Sequence, residues 1–470
     1  MAAATEQTLE WGTGRDLSPL DALMWRAEAD PRLRSTMVGL ELLDRAPDWD
    51  RLVAAHEWAT RMVPRLRRRV VDWGIAPPEW VADPEVDLTY HLRRVALPTG
   101  AGWPDLLALA AQMGMAPFDK ARPPWEAVLF EGLPDGRAAY ALKLHHAATD
   151  GIGGVALIGG LHRRARDPDP AKPQPEPPPG ESYAVTRALA CQAAADLRAT
   201  ARFIGHRPRD LAHPRRSLRD GVDFLRSLRR VLADPDVEGS PLLRDRGLSW
   251  RFLAVDVPFA ALRGAAKAAG GSLNDAYLAG LLGGFRRYHE ELGASVETIP
   301  MAVPISVRRE DDPQGGNRIA AARFAGPMGI AHPRERMQAV QRIVRAARAE
   351  PAMEGVALLA PAMSRLSGPL IGHLAGGVTK NNDLQASNIP GIRDEVFLAG
   401  ARVERFYPFG PLPGCATMIT LLSHGDTCCI GVNLDPAAVR EPERFGRCLV
   451  EGLDEVLALA PDGGRAELLG

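Results

Sequence analysis

Leu144-His145-His146-Ala147-Ala148-Thr149-Asp150-Gly151 is the stretch on which the reading of this chain turns. Before it, Ala138-Ala139-Tyr140-Ala141-Leu142-Lys143 is a short alternating run that predicts a strand. After it, Gly151-Ile152-Gly153-Gly154-Val155-Ala156-Leu157-Ile158-Gly159-Gly160-Leu161 predicts a loop tightening into a helix of small residues. Glycines after a strand end let a ligand approach the backbone, and an imidazole there is placed to take a proton from an alcohol or amine. Adjacent residues in a strand point to opposite faces, so only one of the two histidines can face a core. A metal site would need a further ligand at matching spacing. Asp150 could serve, but no His-Glu-x-x-His and no cysteine cluster accompanies it. Neither Gly-x-Gly-x-x-Gly nor a Walker lysine is present to support phosphate or redox-cofactor binding. Acid/base chemistry is the remaining reading, with one histidine reactive and Asp150 fixing the local geometry.

A chain of 470 residues is long for one core and predicts two domains. With 46% hydrophobic residues, 24% charged residues and a formal net charge of −1, the overall balance gives no argument for nucleic-acid binding. Cys191, Cys415, Cys428, Cys429 and Cys448 show no C-x-x-C spacing, and an odd number fits reduced thiols in the cytosol. Met1 to Trp11 has no apolar core and does not read as a secretory signal. The apolar stretch Val356–Val378 approaches spanning length but contains Arg365, and an arginine in mid-span costs roughly 2.5–3.5 kcal/mol. It is therefore expected to form buried or interfacial helix, in a protein that is soluble or peripheral.

Three regions emerge. In the first, residues 1–166, helices are expected at Ser18–Ala29, Trp49–Met62 and around Pro104–Met113, and strands at Val70–Trp73 and Tyr90–Ala96. A hairpin, Trp125–Glu131 with Ala138–Leu144, turns on Pro134-Asp135-Gly136. The second region, residues 167–245, opens on a proline-dense polyproline-like linker, Asp167 to Ser182, and continues into an Arg-rich helical stretch. From Ala184 to Val231 there are eleven arginines and four aspartates, a local balance of +7. That stretch reads either as a solvated crossover between domains or as interfacial helices drawn to anionic lipid. In the third region, residues 246–470, strands are expected at Trp250–Val257, Thr298–Ile305, Val396–Ala401, Ala416–Ser423 and Thr427–Asn433. Helices there are expected at Phe259–Ala268, Asn274–His289, Pro333–Ala349 and Pro442–Leu457.

The HHxxxDG pattern resembles the signature of the chloramphenicol acetyltransferase-like superfamily. Further stretches, in order, resemble the bacterial wax ester synthase/diacylglycerol acyltransferases over nearly the whole chain. They are Leu17-Ser18-Pro19-Leu20-Asp21, the segment Trp80 to Pro98, and Pro117-Phe118-Asp119-Lys120-Ala121-Arg122-Pro123-Pro124-Trp125-Glu126. The last is similar to a PLDRxRPLWE box, with Phe118, Lys120 and Pro124 as departures. Ser272-Leu273-Asn274-Asp275, Val303-Pro304-Ile305-Ser306-Val307-Arg308, Gly316-Asn317 and Ser387-Asn388-Ile389-Pro390-Gly391 complete the resemblance.

This resemblance implies an α/β fold of two acetyltransferase-like domains, with mixed sheets and flanking helices, joined by the Pro-rich crossover and basic helices. It implies transfer of a fatty acyl group from acyl-CoA, the co-substrate, to a long-chain alcohol or diacylglycerol, with no permanently bound cofactor or metal. His146 would be the general base, His145 its neighbour in the motif, and Asp150 structural. Gly151 would clear space for a pantetheine arm or acyl chain. Asn274 is read as a helix N-cap that also orients substrate, and Asn388, in an extended turn, as a substrate contact. The acyl chain would reach His146 through a tunnel between the domains. A cytosolic enzyme docking on the inner membrane face or on lipid inclusions is the expected setting. A condensation-type transferase using a carrier-bound donor and a catalytically silent lipid-binding protein are the alternatives.

Overall fold

In the computed structural model the described residues are 14–167, 179–191, 237–306, 319–349 and 382–470, except 75, with isolated positions between these ranges. Most of the basic 184–231 stretch and of 356–378 lies outside them.

Helix α1 (Pro19–Ala27) starts where Ser18 accepts the amide of Asp21, and a proline at its first position suits the helical φ. Strand β1 (Thr36–Leu43) follows, then α2 (Trp49–Met62), capped by the Asp48 carboxylate on the Arg51 amide. The small ribbon β2 (Arg68–Val71) and β3 (Glu79–Ala82) precedes a one-turn helix α3 (Leu88–His91) and strand β4 (Leu92–Ala96). Helix α4 (Trp103–Met115) leads to the hairpin β5 (Trp125–Glu131) and β6 (Ala138–His145), and α5 (Gly151–Leu161) follows the histidines. The turn of that hairpin places Asp135 and Gly136 at positive φ.

The remainder contributes β7 (Arg251–Pro258), α6 (Phe259–Ala268), α7 (Leu273–Glu291), β8 (Thr298–Ser306), β9 (Ile319–Pro327) and α8 (Pro333–Arg348). Then come β10 (Leu384–Ile389), β11 (Phe397–Leu398), β12 (Ala401–Phe409), β13 (Thr417–His424), β14 (Thr427–Leu434), α9 (Pro442–Leu457) and β15 (Glu467–Leu468).

Two mixed sheets result. The first runs β11-β12-β1-β6-β5-β4, antiparallel except for the parallel β4–β5 pair. The second runs β15-β7-β14-β13-β10-β8-β9, with β10 parallel to both neighbours. The two-domain α/β architecture with flanking helices is the one the sequence suggests. Chain order and sheet membership part company at 397–409, however. These residues follow four strands of the second sheet and three of its helices, yet β12 pairs with β1 as a neighbour in the first sheet. The expected strand Val396–Ala401 is instead two strands, broken at Ala399 and Gly400, both at positive φ.

One face of the first sheet packs on α2 and α5 through Leu43, Leu52, Tyr140, Leu142, Leu157 and Phe406. Its other face shares a core with α4 and with the second sheet, where Phe252 stacks on Phe409 at 4.0 Å and 4°. The two sheets are thus fused through packed aromatic surface, and Gly151, at the start of α5, meets Ile389 of the second sheet.

Inside the α2 face, His56 is buried, its Nδ1 donating to the Leu52 carbonyl at 2.8 Å and its Nε2 accepting from the Tyr140 hydroxyl at 2.7 Å. Burial pushes its pKa down from 6.5 to about 4. The folded chain therefore keeps His56 neutral in a range where the unfolded chain takes up a proton. Stability from this group is full above pH 6.5 and is lost as pH falls toward 4, by about 3 kcal/mol. Urea midpoints measured between pH 7 and 4 should fall less steeply in His56→Gln than in the natural chain; equal slopes would reject this assignment.

Candidate active site

β6 ends at His145, and the chain then turns through His146, Ala147 and Ala148 into α5. Backbone bonds fix the turn: the His145 amide donates to the Pro124 carbonyl at 3.1 Å, His146 to Ser35 at 2.7 Å, and Ala148 to His145 at 2.9 Å. The two histidines consequently meet different surroundings. His145 is sealed, with 0% exposure, under the edges of Trp25 (4.8 Å between ring centres) and Phe118 (6.1 Å). Its Nδ1 accepts the Ala147 amide at 2.9 Å, so the neutral ring carries its proton on Nε2. Nε2 faces Glu28 Oε1 at 3.2 Å, an ion-pair distance. His146, one residue beyond the strand, keeps part of its surface open. Of the two imidazole-bearing residues, only the second is partly exposed.

Asp150 is buried and caps α5, its carboxylate accepting the Gly153 amide at 2.9 Å. This matches a carboxylate that shapes the turn. At Gly151 the structure differs from the expectation. A Cβ there would lie 2.5 Å from Ile389 Cδ1, so the missing side chain makes room for β10 of the second sheet, where a substrate arm was expected. Ser387-Asn388-Ile389 likewise lies on strand β10, not in an extended turn, because it pairs with Thr420-Leu421-Leu422 of β13. Asn388 thus neighbours the residue that touches Gly151.

Asn274 is not an N-cap. Ser272 caps α7, accepting the Asp275 amide while the Asp275 carboxylate takes the Ser272 amide at 2.8 Å, which leaves Asn274 on the first helical turn. Its location still connects it with the site. Tyr277 donates to the carbonyl of Ile419, level with Ala386 of β10, and Leu282 packs toward Met301, level with Leu384. Helix α7 therefore runs back along β10, and its start, with Asn274, stands at the end of β10 that carries Asn388.

Trp25, Glu28 and Ser35 belong to the surroundings of the histidines but escape a motif search. Trp25 and Glu28 lie three apart, one turn on α1, and that spacing is the available signal. Arg26 anchors α1 to the β2–β3 ribbon through Asp72, with Nε and Nη2 donating at 2.8 and 2.7 Å. Beneath the motif, Trp125 stacks on His91 at 4.4 Å and donates to the Leu66 carbonyl, while Lys143 pairs with Glu126 at 3.1 Å in a buried setting.

Among the described residues no group of three or more His, Cys, Asp and Glu is arranged to hold a metal, and no helix is long and apolar enough to cross a membrane. Burial pushes the thiols of Cys415, Cys428 and Cys448 up to about 12, so they supply no thiolate near neutrality.

Residues 17–277 match the profile of the wax ester synthase/diacylglycerol acyltransferase catalytic domain, and 315–456 match the WS/DGAT C-terminal domain. A Mycobacterium tuberculosis protein provisionally named a diacylglycerol O-acyltransferase is 42% identical over 460 residues, covering 96% of this chain and 93% of its own. A second so named from the same organism is 31% identical, covering 91% and 93%. Among solved structures, the wax ester synthase/diacylglycerol acyltransferase of Marinobacter aquaeolei VT8 superposes with a TM-score of 0.64 at 22% identity, covering 94% of this chain and 98% of that one. The starter condensation domain of rhizomide synthetase, in complex with C8-CoA and Leu-SNAC, superposes at 0.58 with 15% identity over the full length of both chains.

Relief of the Gly151–Ile389 contact is directly testable. Gly151→Ala should cost about 1–3 kcal/mol of stability, as overpacking of a filled site does. Ile389→Val removes the obstructing Cδ1, so in that background the same alanine should cost clearly less in urea unfolding. An unchanged cost would mean that the two side chains do not compete for space.

Proposed function

Because this chain belongs to the wax ester synthase/diacylglycerol acyltransferase family and is an O-acyltransferase, we propose that His146 is its general base, with a fatty acyl-CoA as donor and a long-chain alcohol or diacylglycerol as acceptor. The observation carrying this reading is the division of labour in the pair: His145 is sealed and bonded, while His146, just past the strand end, is partly open. An ordinary imidazole, with a pKa near 6.5, is mostly unprotonated at neutral pH. It takes the acceptor's hydroxyl proton as that oxygen attacks the thioester carbonyl. The C–S bond then breaks and the proton passes to the departing CoA thiolate. The thioester is already activated, so no acyl-enzyme is needed, and the raised cysteine pKa values agree with direct transfer. That a protein of this fold binds C8-CoA supports an acyl-CoA donor. Asn274 and Asn388, at one end of β10, are proposed to contact substrate.

His146→Ala should lower kcat about 10²–10⁴-fold while leaving thermal unfolding unchanged. The assay is ester formation from labelled palmitoyl-CoA over a panel of fatty alcohols and diacylglycerols, resolved by thin-layer chromatography. Retained activity rejects the base, and turnover with carrier-bound but not CoA-bound donors moves the reading to a condensation-type transferase.

Peripheral docking through the +7 segment 184–231 is proposed from sequence alone. Flotation with vesicles should then increase with anionic lipid and weaken with salt. Indifference to both removes the electrostatic version.

A further inference from the structure

Glu28 ends α1 as its C-cap residue, and its carboxylate is largely buried. A single oxygen, Oε1, meets two groups on opposite sides of the turn. It accepts the Ser35 amide at 2.7 Å and faces His145 Nε2 at 3.2 Å. Each of those residues in turn holds the segment that carries His146. The carbonyl of Ser35 accepts the His146 amide at 2.7 Å, and Nδ1 of His145 accepts the amide of Ala147 at 2.9 Å. The residue before the base, its own amide and the amide after it are thus all tied, directly or through one bond, to this oxygen. Because Nδ1 is an acceptor, the His145 proton belongs on Nε2, which is the tautomer that an acceptor at Glu28 selects. Trp25, on the same helix one turn earlier, closes over the His145 ring. Burial pushes the Glu28 carboxyl up, but His145, the Ser35 amide and Arg34 outweigh it and hold the group below the usual carboxylate range.

We propose that Glu28 is a positioning residue of the transfer reaction, setting the place of the His146 imidazole through His145 and Ser35 without touching substrate. The inference rests on His146 being the base. What Glu28 supplies is an acceptor oxygen at one point in space. Its charge is secondary, because both partners need only a lone pair. Glutamine keeps that oxygen in place. Aspartate keeps the charge but is one methylene too short to reach both partners. The variants therefore separate placement from charge. Misplacing a catalytic group by about 1 Å can cost on the order of 10²-fold in rate.

The experiment measures kcat and KM for ester formation in Glu28→Gln, Glu28→Asp and Glu28→Ala, beside His146→Ala, with ¹⁵N spectra of the histidine rings. Glu28→Gln should stay within about threefold of the natural kcat and keep the acid limb of its pH profile. Glu28→Asp and Glu28→Ala should lose about 10–100-fold in kcat with KM little changed, and the His145 tautomer should become mixed. If alanine does not fold, the order of glutamine above aspartate still decides. Aspartate at or above glutamine, or a loss that follows KM, overturns the positioning role. If His146→Ala is inactive while Glu28→Ala and Glu28→Asp are fully active, this inference fails and the base stands. An active His146→Ala sinks the base itself.

Discussion

Two antiparallel ladders meet on β1, and the one with β12 is the constraint under which the rest of the molecule is built. β12 arrives late in the chain, from Val38↔Phe409 to Leu43↔Val403, so the closing contact joins distant stretches. Loop closure over such a separation is unfavourable and must be offset by what the strand buries. Phe406 fills the α5 side of the sheet, and Tyr407 and Phe409 fill the side shared with β7 and β14. Gly431 on β14 has no Cβ because the Pro408 carbonyl occupies that space. One strand thus belongs to one sheet by hydrogen bonding and to the other by close packing. The junction of the sheets is a packed seam, across which Gly151 after the histidine turn meets Ile389 of β10.

Helix α5 shows why polar groups are spent near such a site. It is apolar along its length, so burial of a hydrophobic face does little to define its rotation. Its ends do. At the start, Asp150 holds the Gly153 amide. At the end, the C-cap residue His162 lies 2.8 Å from Glu41 on β1, a carboxylate with no exposure. A buried charge without a partner costs several kcal/mol, so this pair selects one placement of the helix over its neighbours. The close seat of Ile389 against Gly151 then transmits that placement to the second sheet.

The same features explain what could be read in the sequence. Helices with clear periodicity and caps, such as Trp49–Met62 and Pro442–Leu457, stand where pattern and local chemistry put them. Strand β1, central to the first sheet, was not legible. Gly39 and Glu41 interrupt its apolar run, and both are there for tertiary reasons. A Cβ at Gly39 would lie 2.9 Å from the Phe406 ring and 3.1 Å from Ile158, and Glu41 waits for His162. Strand β12 was hidden past Ala401 because Arg402, Glu404 and Arg405 break its pattern, and Asp256, which pairs with Arg405 at 2.6 Å, and Arg137, which pairs with Glu404, lie far off in sequence. At the site, the HHxxxDG motif located the turn and a structural Asp150, and the fold shows that its carboxylate does this as the cap of α5. It could not say that the space at Gly151 belongs to Ile389, since that follows from how two distant segments pack. Nor could spacing choose between Ser272 and Asn274 as the cap, because both are favoured types; the carboxylate of Asp275 decided it.

Histidines elsewhere in the fold sharpen what distinguishes His146. His56, His91, His289 and His424 are buried, and desolvation lowers the pKa of each. His289 accepts the Ser240 hydroxyl at 2.6 Å and bonds the Phe285 carbonyl, an arrangement that would look catalytic if it were open, yet both side chains are about 1% exposed. In this fold a bonded, sealed imidazole is a structural group that fills a polar vacancy in a core. His145 belongs to that class, although it lies inside the motif. Its neighbour stands a single residue step past the end of the strand and is partly exposed where His145 is sealed. The difference in exposure between the two rings is thus set by the point at which β6 stops. That point is fixed by the last ladder pair, Thr36 with His145, and by the carbonyl of Ser35 that receives the next amide.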